Sequence, residues 1–261
     1  MILNQLISTK ERIKIVLGLI VIFVLLLSSS DNSAHATCII LYIGKREILI
    51  GADSRNVKKA YNSDSLEYLQ TCKIKTFDRL TFVMSGFTNS DSYDFKPYQL
   101  AERHFSTDEN FDTKLKSLKI EINERLSEIL RKIKTNPKSW QMVVTKENRI
   151  LEIGIIGSIN GQFGVYRIGF VLTDNETMRI ETQEEMTACT YTTDKYLGFG
   201  DSDASREYII ANLGKETADK IIINAIKKQS AATPITVGEP INLLRVKPDS
   251  LDWLVNNCCN E

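Results

Sequence analysis

Only two histidines occur in the 261 residues, His35 and His104. A three-histidine metal site or a histidine-rich redox centre cannot be built from them, and no Cys-x-x-Cys pair offers a structural zinc site instead. A Ser-His-Asp arrangement would have to rest on His104, which reads as a partly exposed residue of the helical stretch Ala101-Glu-Arg-His-Phe. A hydroxyl nucleophile still needs a base within hydrogen-bond reach. The remaining simple base is a free α-amino group, whose ordinary pKa of about 7.7–8.0 leaves part of it unprotonated near neutrality. Where an N-terminus is made, and on which residue, therefore decides the chemistry.

Such a terminus is encoded in the first 36 residues. Lys10, Arg12 and Lys14 precede Ile15–Leu27, which is apolar except for Gly18, and Ser28-Ser29-Ser30 and Ala34-His35-Ala36 follow. A basic start, a short apolar core and an Ala-x-Ala exit describe a secretory signal peptide cut after Ala36. Residues 1–36 are then the leader and residues 37–261 the mature domain, exported to the periplasm or secreted, with Thr37 first. The alternative is a retained membrane anchor, although the apolar run is shorter than the roughly 20 residues a spanning helix needs. A lipoprotein start at Cys38 lacks the leucine and small residues expected before it. A cut after Thr37, exposing the Cys38 thiol, would put His35 and Thr37 in the small-residue positions and fits poorly.

The scaffold around these groups is read from the hydrophobic pattern. Residues 37–43 and 48–53 are β-rich runs split by Gly44-Lys-Arg-Glu47, a hairpin signal. After a polar segment, residues 54–70, a second hairpin is expected from residues 73–77 and 80–86. Phe111, Leu115, Leu118, Ile122, Leu126, Ile129 and Ile133 recur at helical spacing up to Asn136-Pro137, predicting one long amphipathic helix. Residues 140–144, 151–156, 163–172 and 178–182 read as strands, 204–211 and 217–228 as helices, and 241–246 as a last strand. Hairpins at the front imply antiparallel pairing, so the class is α+β rather than doubly wound α/β.

Thr37 opens a strand, Asp53 lies in Gly51-Ala-Asp-Ser-Arg55 as the seventeenth residue counted from Thr37, and Lys73 opens Lys73-Ile74. In these residues the chain resembles the proteasome β subunits among the N-terminal-nucleophile (Ntn) hydrolases. Met84-Ser85-Gly86 looks like the family's small-residue turn, and Gly198-Phe199-Gly200 precedes a helix pair in a similar way. The resemblance implies a four-layer αββα sandwich, two antiparallel sheets between helix layers. It also implies amide hydrolysis of a peptide or small amide through an ester on Thr37, without metal or other cofactor. The chemistry is coherent: a Lys73 cation near the α-amine lowers its pKa, Asp53 holds that ammonium in place, and Gly86 offers a backbone N–H to an oxyanion. Taken singly, Thr37 is also an ordinary early strand residue, Asp53-Ser54-Arg55 a turn, and Lys73 a solvated strand start.

The chain departs from the family pattern at two places. Phe199 stands where active members carry a supporting serine, and Pro234-Ile-Thr-Val237 lacks their Asp-x-x-Ser element, leaving Thr233 and Thr236 as the hydroxyls at hand. The alternative function is accordingly a non-catalytic proteasome-like protein with an assembly or binding role. Resembling proteins form rings, so a homo-oligomer is compatible with the chain. With 33 basic and 33 acidic residues, nothing calls for nucleic acid, and a membrane partner follows only if the leader is retained. The five cysteines, Cys38, Cys72, Cys189, Cys258 and Cys259, show no framework and read as small buried hydrophobes plus an exposed pair at the tail. Asn175-Glu-Thr177 is a glycosylation triplet, meaningful only in a secretory host.

Overall fold

The computed structural model describes residues 37–59, 66–77, 79–145, 147–190, 192, 194–257 and 259. The expected leader, 1–36, lies outside them, as does Cys258. The chain runs β1 (Cys38–Ile43), β2 (Ile48–Asp53), β3 (Arg55–Lys59), β4 (Leu66–Gln70), β5 (Ile74–Phe77) and β6 (Leu80–Gly86). Three helices come next, α1 (Pro97–Phe105), α2 (Phe111–Ile133) and α3 (Pro137–Val143). Then come β7 (Arg149–Ile159), β8 (Gln162–Asp174), β9 (Arg179–Ala188), β10 (Lys195–Gly200), α4 (Asp203–Asn212), α5 (Ala218–Ala232), β11 (Ile241–Val246) and β12 (Leu251–Val255).

These strands form two five-stranded antiparallel sheets, β10-β1-β2-β11-β12 and β5-β6-β7-β8-β9, plus a separate β3-β4 hairpin. Alternation along β1 shows how the layers are made. Ile39, Leu41 and Ile43 meet Ile74, Val83, Ile156 and Val165 of the second sheet, while Cys38 and Ile40 pack on Ile222, Ala225 and Ile226 of α5. Both faces of β1 are covered, which is why residues 38–43 read as an unbroken apolar run. On the far face of the second sheet, Phe82, Met84, Ile153 and Phe170 pack against Leu118, Ile122, Leu126 and Ile129 of α2. The architecture is the expected α+β, four-layer αββα sandwich.

The long helix ends as expected, but the next element is a helix and not a strand. Asn136 accepts a hydrogen bond from the Ser139 amide (3.1 Å), and Pro137 occupies the first turn of α3. Asn-Pro is thus the start of a helix as well as the stop of one. Trp140 and Val143 then turn into the core as helix residues. The polar segment 54–70 also carries more structure than its composition suggests, since Arg55–Lys59 pairs with Leu66–Gln70. Nor is Cys259 part of an exposed tail pair: it is disulfide-bonded to Cys72, 187 residues away. Cys38 is a buried free thiol and Cys189 a half-buried one. His104 lies on α1, with its Nε2 2.8 Å from Glu121, which also pairs with Arg103 and Arg125, so the histidine belongs to a helix–helix contact.

Candidate active site

Strand β2 ends in Asp53, a carboxylate with no solvent exposure. Its Oδ1 accepts from Lys73 Nζ (2.9 Å) and from the Cys38 amide (2.8 Å). Its Oδ2 accepts from the amides of Arg55 (3.2 Å) and Gly238 (3.3 Å). Four donors satisfy a charge that would otherwise be costly to bury. The sharing of Oδ1 is the central feature, because it sets the Lys73 ammonium beside the backbone of the residue after Thr37. Thr37 and Lys73 are themselves buried. The Lys73 carbonyl is fixed from the other side by the Tyr98 hydroxyl (2.7 Å), which also accepts from the Met84 amide (2.9 Å). That phenol, pushed up in pKa by burial, acts here as a neutral bridge between α1, β6 and the start of β5.

Two glycines bring the backbone around Thr37 into place. Gly200 has φ +74°, and a Cβ there would sit 2.0 Å from the Thr37 carbonyl oxygen. That oxygen accepts from the Asp201 amide (2.9 Å). Gly86, at φ +90°, is the one part-exposed residue of β6, and a Cβ there would lie 2.4 Å from the Ile150 carbonyl oxygen. Only a residue without a side chain fits either conformation and either contact. Ser85 joins the two turns, since its Cβ lies 3.3 Å from where a Gly200 Cβ would be.

The structure thus ties Thr37, Asp53 and Lys73 together through Cys38 and Gly200, and joins the Gly86 strand to them through Ser85. It also accounts for the departures. Phe199 is fully buried between the sheets, where the absence of a side chain on Gly154 leaves room for its ring. The Thr233 hydroxyl lies against the Gln229 carbonyl (3.1 Å) and also hydrogen-bonds with the Asp201 side chain, while the Thr236 hydroxyl donates to the Thr233 carbonyl (3.3 Å) at the end of α5. Gln229 donates to Asp201 Oδ1 (2.9 Å) and accepts from the Ser205 amide (3.2 Å), tying that helix to the turn that holds the Thr37 carbonyl. The Cys38 thiol faces α5, 3.3 Å from Ser205 Oγ, and burial pushes it up to about 12, so it is a neutral packing group at neutral pH. Among the described residues no three His, Cys, Asp or Glu side chains gather closely enough to hold a metal ion.

No family profile and no curated protein matches the sequence. Solved structures do match in fold. The helical assembly of the Anbu complex from Pseudomonas aeruginosa is 14% identical, with 86% of this chain and 88% of that one covered, at a TM-score of 0.50. The shared fold is the proteasome-like αββα sandwich. Weaker similarities are to Anbu from Yersinia bercovieri, 16% identical over 85% of this chain and 88% of that one (TM-score 0.46), and to eukaryotic HslV from Trypanosoma brucei, 10% identical over 81% and 99% (TM-score 0.42). Within the proteasome-like sandwich of this chain, Asp53 at the end of β2 joins Lys73 to the Cys38 amide, and the β10 turn meets the Thr37 carbonyl beside Ser85 of β6.

The sequence named Thr37, Asp53, Lys73 and Gly86, and the structure adds Tyr98 and Gln229 around them. Tyr98 and Gln229 lie on helices and carry no local motif.

Proposed function

We propose that this chain is an exported Ntn hydrolase that cleaves peptide-like amide bonds with Thr37 as nucleophile. The observation that carries the reading is the Asp53 carboxylate, whose one oxygen binds both the Lys73 ammonium and the Cys38 amide. After removal of residues 1–36, the Thr37 α-amine takes the proton from its own hydroxyl as Oγ1 attacks the substrate carbonyl. Lys73, held by Asp53, disfavours protonation of that amine beforehand. The Gly86 N–H receives the developing oxyanion. Collapse breaks the C–N bond, the amine leaving group carries off the proton, and an ester remains on Thr37. Water, activated by the same α-amine, hydrolyses the ester and restores the hydroxyl.

The Cys72–Cys259 disulfide supports export, because such bonds persist in oxidising compartments. A homo-oligomer is part of the same reading, supported by the fold shared with an Anbu complex solved as a helical assembly. A second reading, a non-catalytic member of the fold with an assembly or binding role, is favoured by one observation: the Thr236 hydroxyl is turned back onto the Thr233 carbonyl at the end of α5. N-terminal sequencing of the exported protein tests the free amine that the hydrolase reading requires, and adduct formation on Thr37 by a peptide epoxyketone separates the two readings. The hydrolase reading expects Thr-Cys-Ile-Ile, and a leader retained on the functional form removes the free amine and overturns it.

A further inference from the structure

Between the two sheets the packing is apolar, with Leu41, Val83, Ile156, Val165 and Phe199 in contact. One carboxylate interrupts it. Glu152 on β7 is 4% exposed and lies opposite Ser85 of β6 in register. Its Oε1 is gripped by Arg149 Nη1 (2.6 Å) and by Arg167 Nη2 (2.5 Å) and Nε (3.1 Å). Its Oε2 accepts from Ser85 Oγ (3.3 Å) and from the Gly200 amide (3.4 Å). The Arg167 guanidinium also lies over the Phe199 ring, 5.0 Å from its centroid, and donates to the Gly198 carbonyl (3.4 Å).

The carboxylate is buried while Arg149 and Arg167 stay part-exposed, and an ion pair so placed is a weak source of stability, since the cost of burying Glu152 offsets the attraction. Its presence is explained by what the second oxygen holds. Ser85 precedes Gly86, and Gly200 abuts the Thr37 carbonyl. A single carboxylate oxygen therefore joins the two turns that must stay in register for catalysis. It does so beside the Phe199 ring that Arg167 covers.

We propose that Glu152 is the positioning residue of this site. Anchored by Arg149 and Arg167, it clamps Ser85 and Gly200 and thereby fixes the Gly86 N–H and the Thr37 backbone relative to each other. This inference rests on the hydrolase reading for its consequence in catalysis, but the clamp itself is a property of the fold. Glu152→Gln keeps one oxygen for Ser85 and Gly200 while weakening the arginine grip, so it should retain part of the function that Glu152→Ala loses. The double variant Glu152→Met/Arg167→Met replaces the pair by apolar volume and guards against simple unfolding.

The test has two arms on the same set of variants. The first is amide hydrogen exchange at Gly200 and Asp201, which needs no activity. Loss of a hydrogen bond to a charged group should speed exchange there by about tenfold to a hundredfold, with the β8–β9 amides unchanged. The second arm, on the processed form, is the maximal rate and half-saturating concentration for modification of Thr37 by a peptide epoxyketone. The rate should fall by a similar factor at unchanged half-saturation, and Glu152→Gln should lie between the parent and Glu152→Ala. Parent-like exchange at Gly200 and Asp201 in the folded double variant overturns the proposal, as does altered exchange with parent-like Thr37 modification. If the parent itself is not modified at Thr37, the hydrolase reading fails and with it the catalytic role of Glu152. The exchange arm then reports only whether the clamp exists.

Discussion

Gly200→Ala should damage the site far more than its backbone conformation alone accounts for, and Gly214→Ala provides the matched control. The two glycines have almost the same φ, +74° and +73°. An alanine forced into that left-handed region costs about 1–2 kcal/mol at either position. At Gly214, in the loop between α4 and α5, a Cβ meets nothing within 4 Å, so strain is the whole effect. At Gly200 the added carbon would sit 2.0 Å from the Thr37 oxygen and 3.0 Å from its carbonyl carbon, with Ser85 Cβ at 3.3 Å. Relieving the first contact requires a shift of about 1 Å, and an overpacked site of this kind costs about 1–3 kcal/mol more. For a chain of this size each kcal/mol lowers the melting temperature by about 2–4 °C. Gly214→Ala should therefore melt about 2–8 °C below the parent and Gly200→Ala lower still. Activity separates them more sharply, because a displacement of about 1 Å at the nucleophile costs about a hundredfold. Thermal unfolding and the rate of Thr37 modification per folded molecule are the assays. Folded Gly200→Ala with a parent-like modification rate would refute the claim that this turn positions Thr37.

Three further outcomes are expected. Lys73→Ala and Asp53→Asn should each lower turnover by about a hundredfold or more, and the double variant should lose no more than the worse single one, because both residues serve one ion pair; additive losses in steady-state kinetics would separate their roles. Reducing the Cys72–Cys259 disulfide should lower stability by on the order of 4–5 kcal/mol, given the 187-residue separation it spans, which calorimetry with and without reductant measures. The Cys38 thiol, raised to about 12 from an ordinary 9.0, contributes stability that is complete below pH 9 and is lost as pH rises toward 12, because only the unfolded chain gives up the proton in that window; Cys38→Ala should flatten the alkaline limb of the stability–pH curve.

The pattern of the sequence carried the layers but not the contacts between them. Cys38–Ile43 and Ile48–Asp53 are recognisable as strands because both faces are covered and nearly every residue is apolar. Arg55–Lys59 hides its strand because Arg-Asn-Val-Lys-Lys has no alternation, and its partner lies in an equally polar stretch. Trp140–Val144 fits either period over so few residues, and the deciding signal was the Asn136 cap rather than the apolar run. Asp53 and Lys73 were legible because a resemblance supplies their spacing. Glu152 was not, since its meaning depends on facing Ser85 across β6 and β7, a matter of register between segments 67 residues apart. The Cys72–Cys259 bond is likewise a property of the closed sandwich, in which the tail after β12 returns to the start of β5.

Whether Thr37 acts as an N-terminal nucleophile is decided by mass spectrometry of the exported protein after exposure to a peptide epoxyketone. Such an electrophile needs a hydroxyl and an adjacent free amine to close its ring adduct. The expected product is a chain beginning at Thr37 that carries one adduct, mapped to Thr37 and absent from Thr37→Ala. An adduct that persists in Thr37→Ala, or an unmodified Thr37 with a free amine, would contradict the assignment.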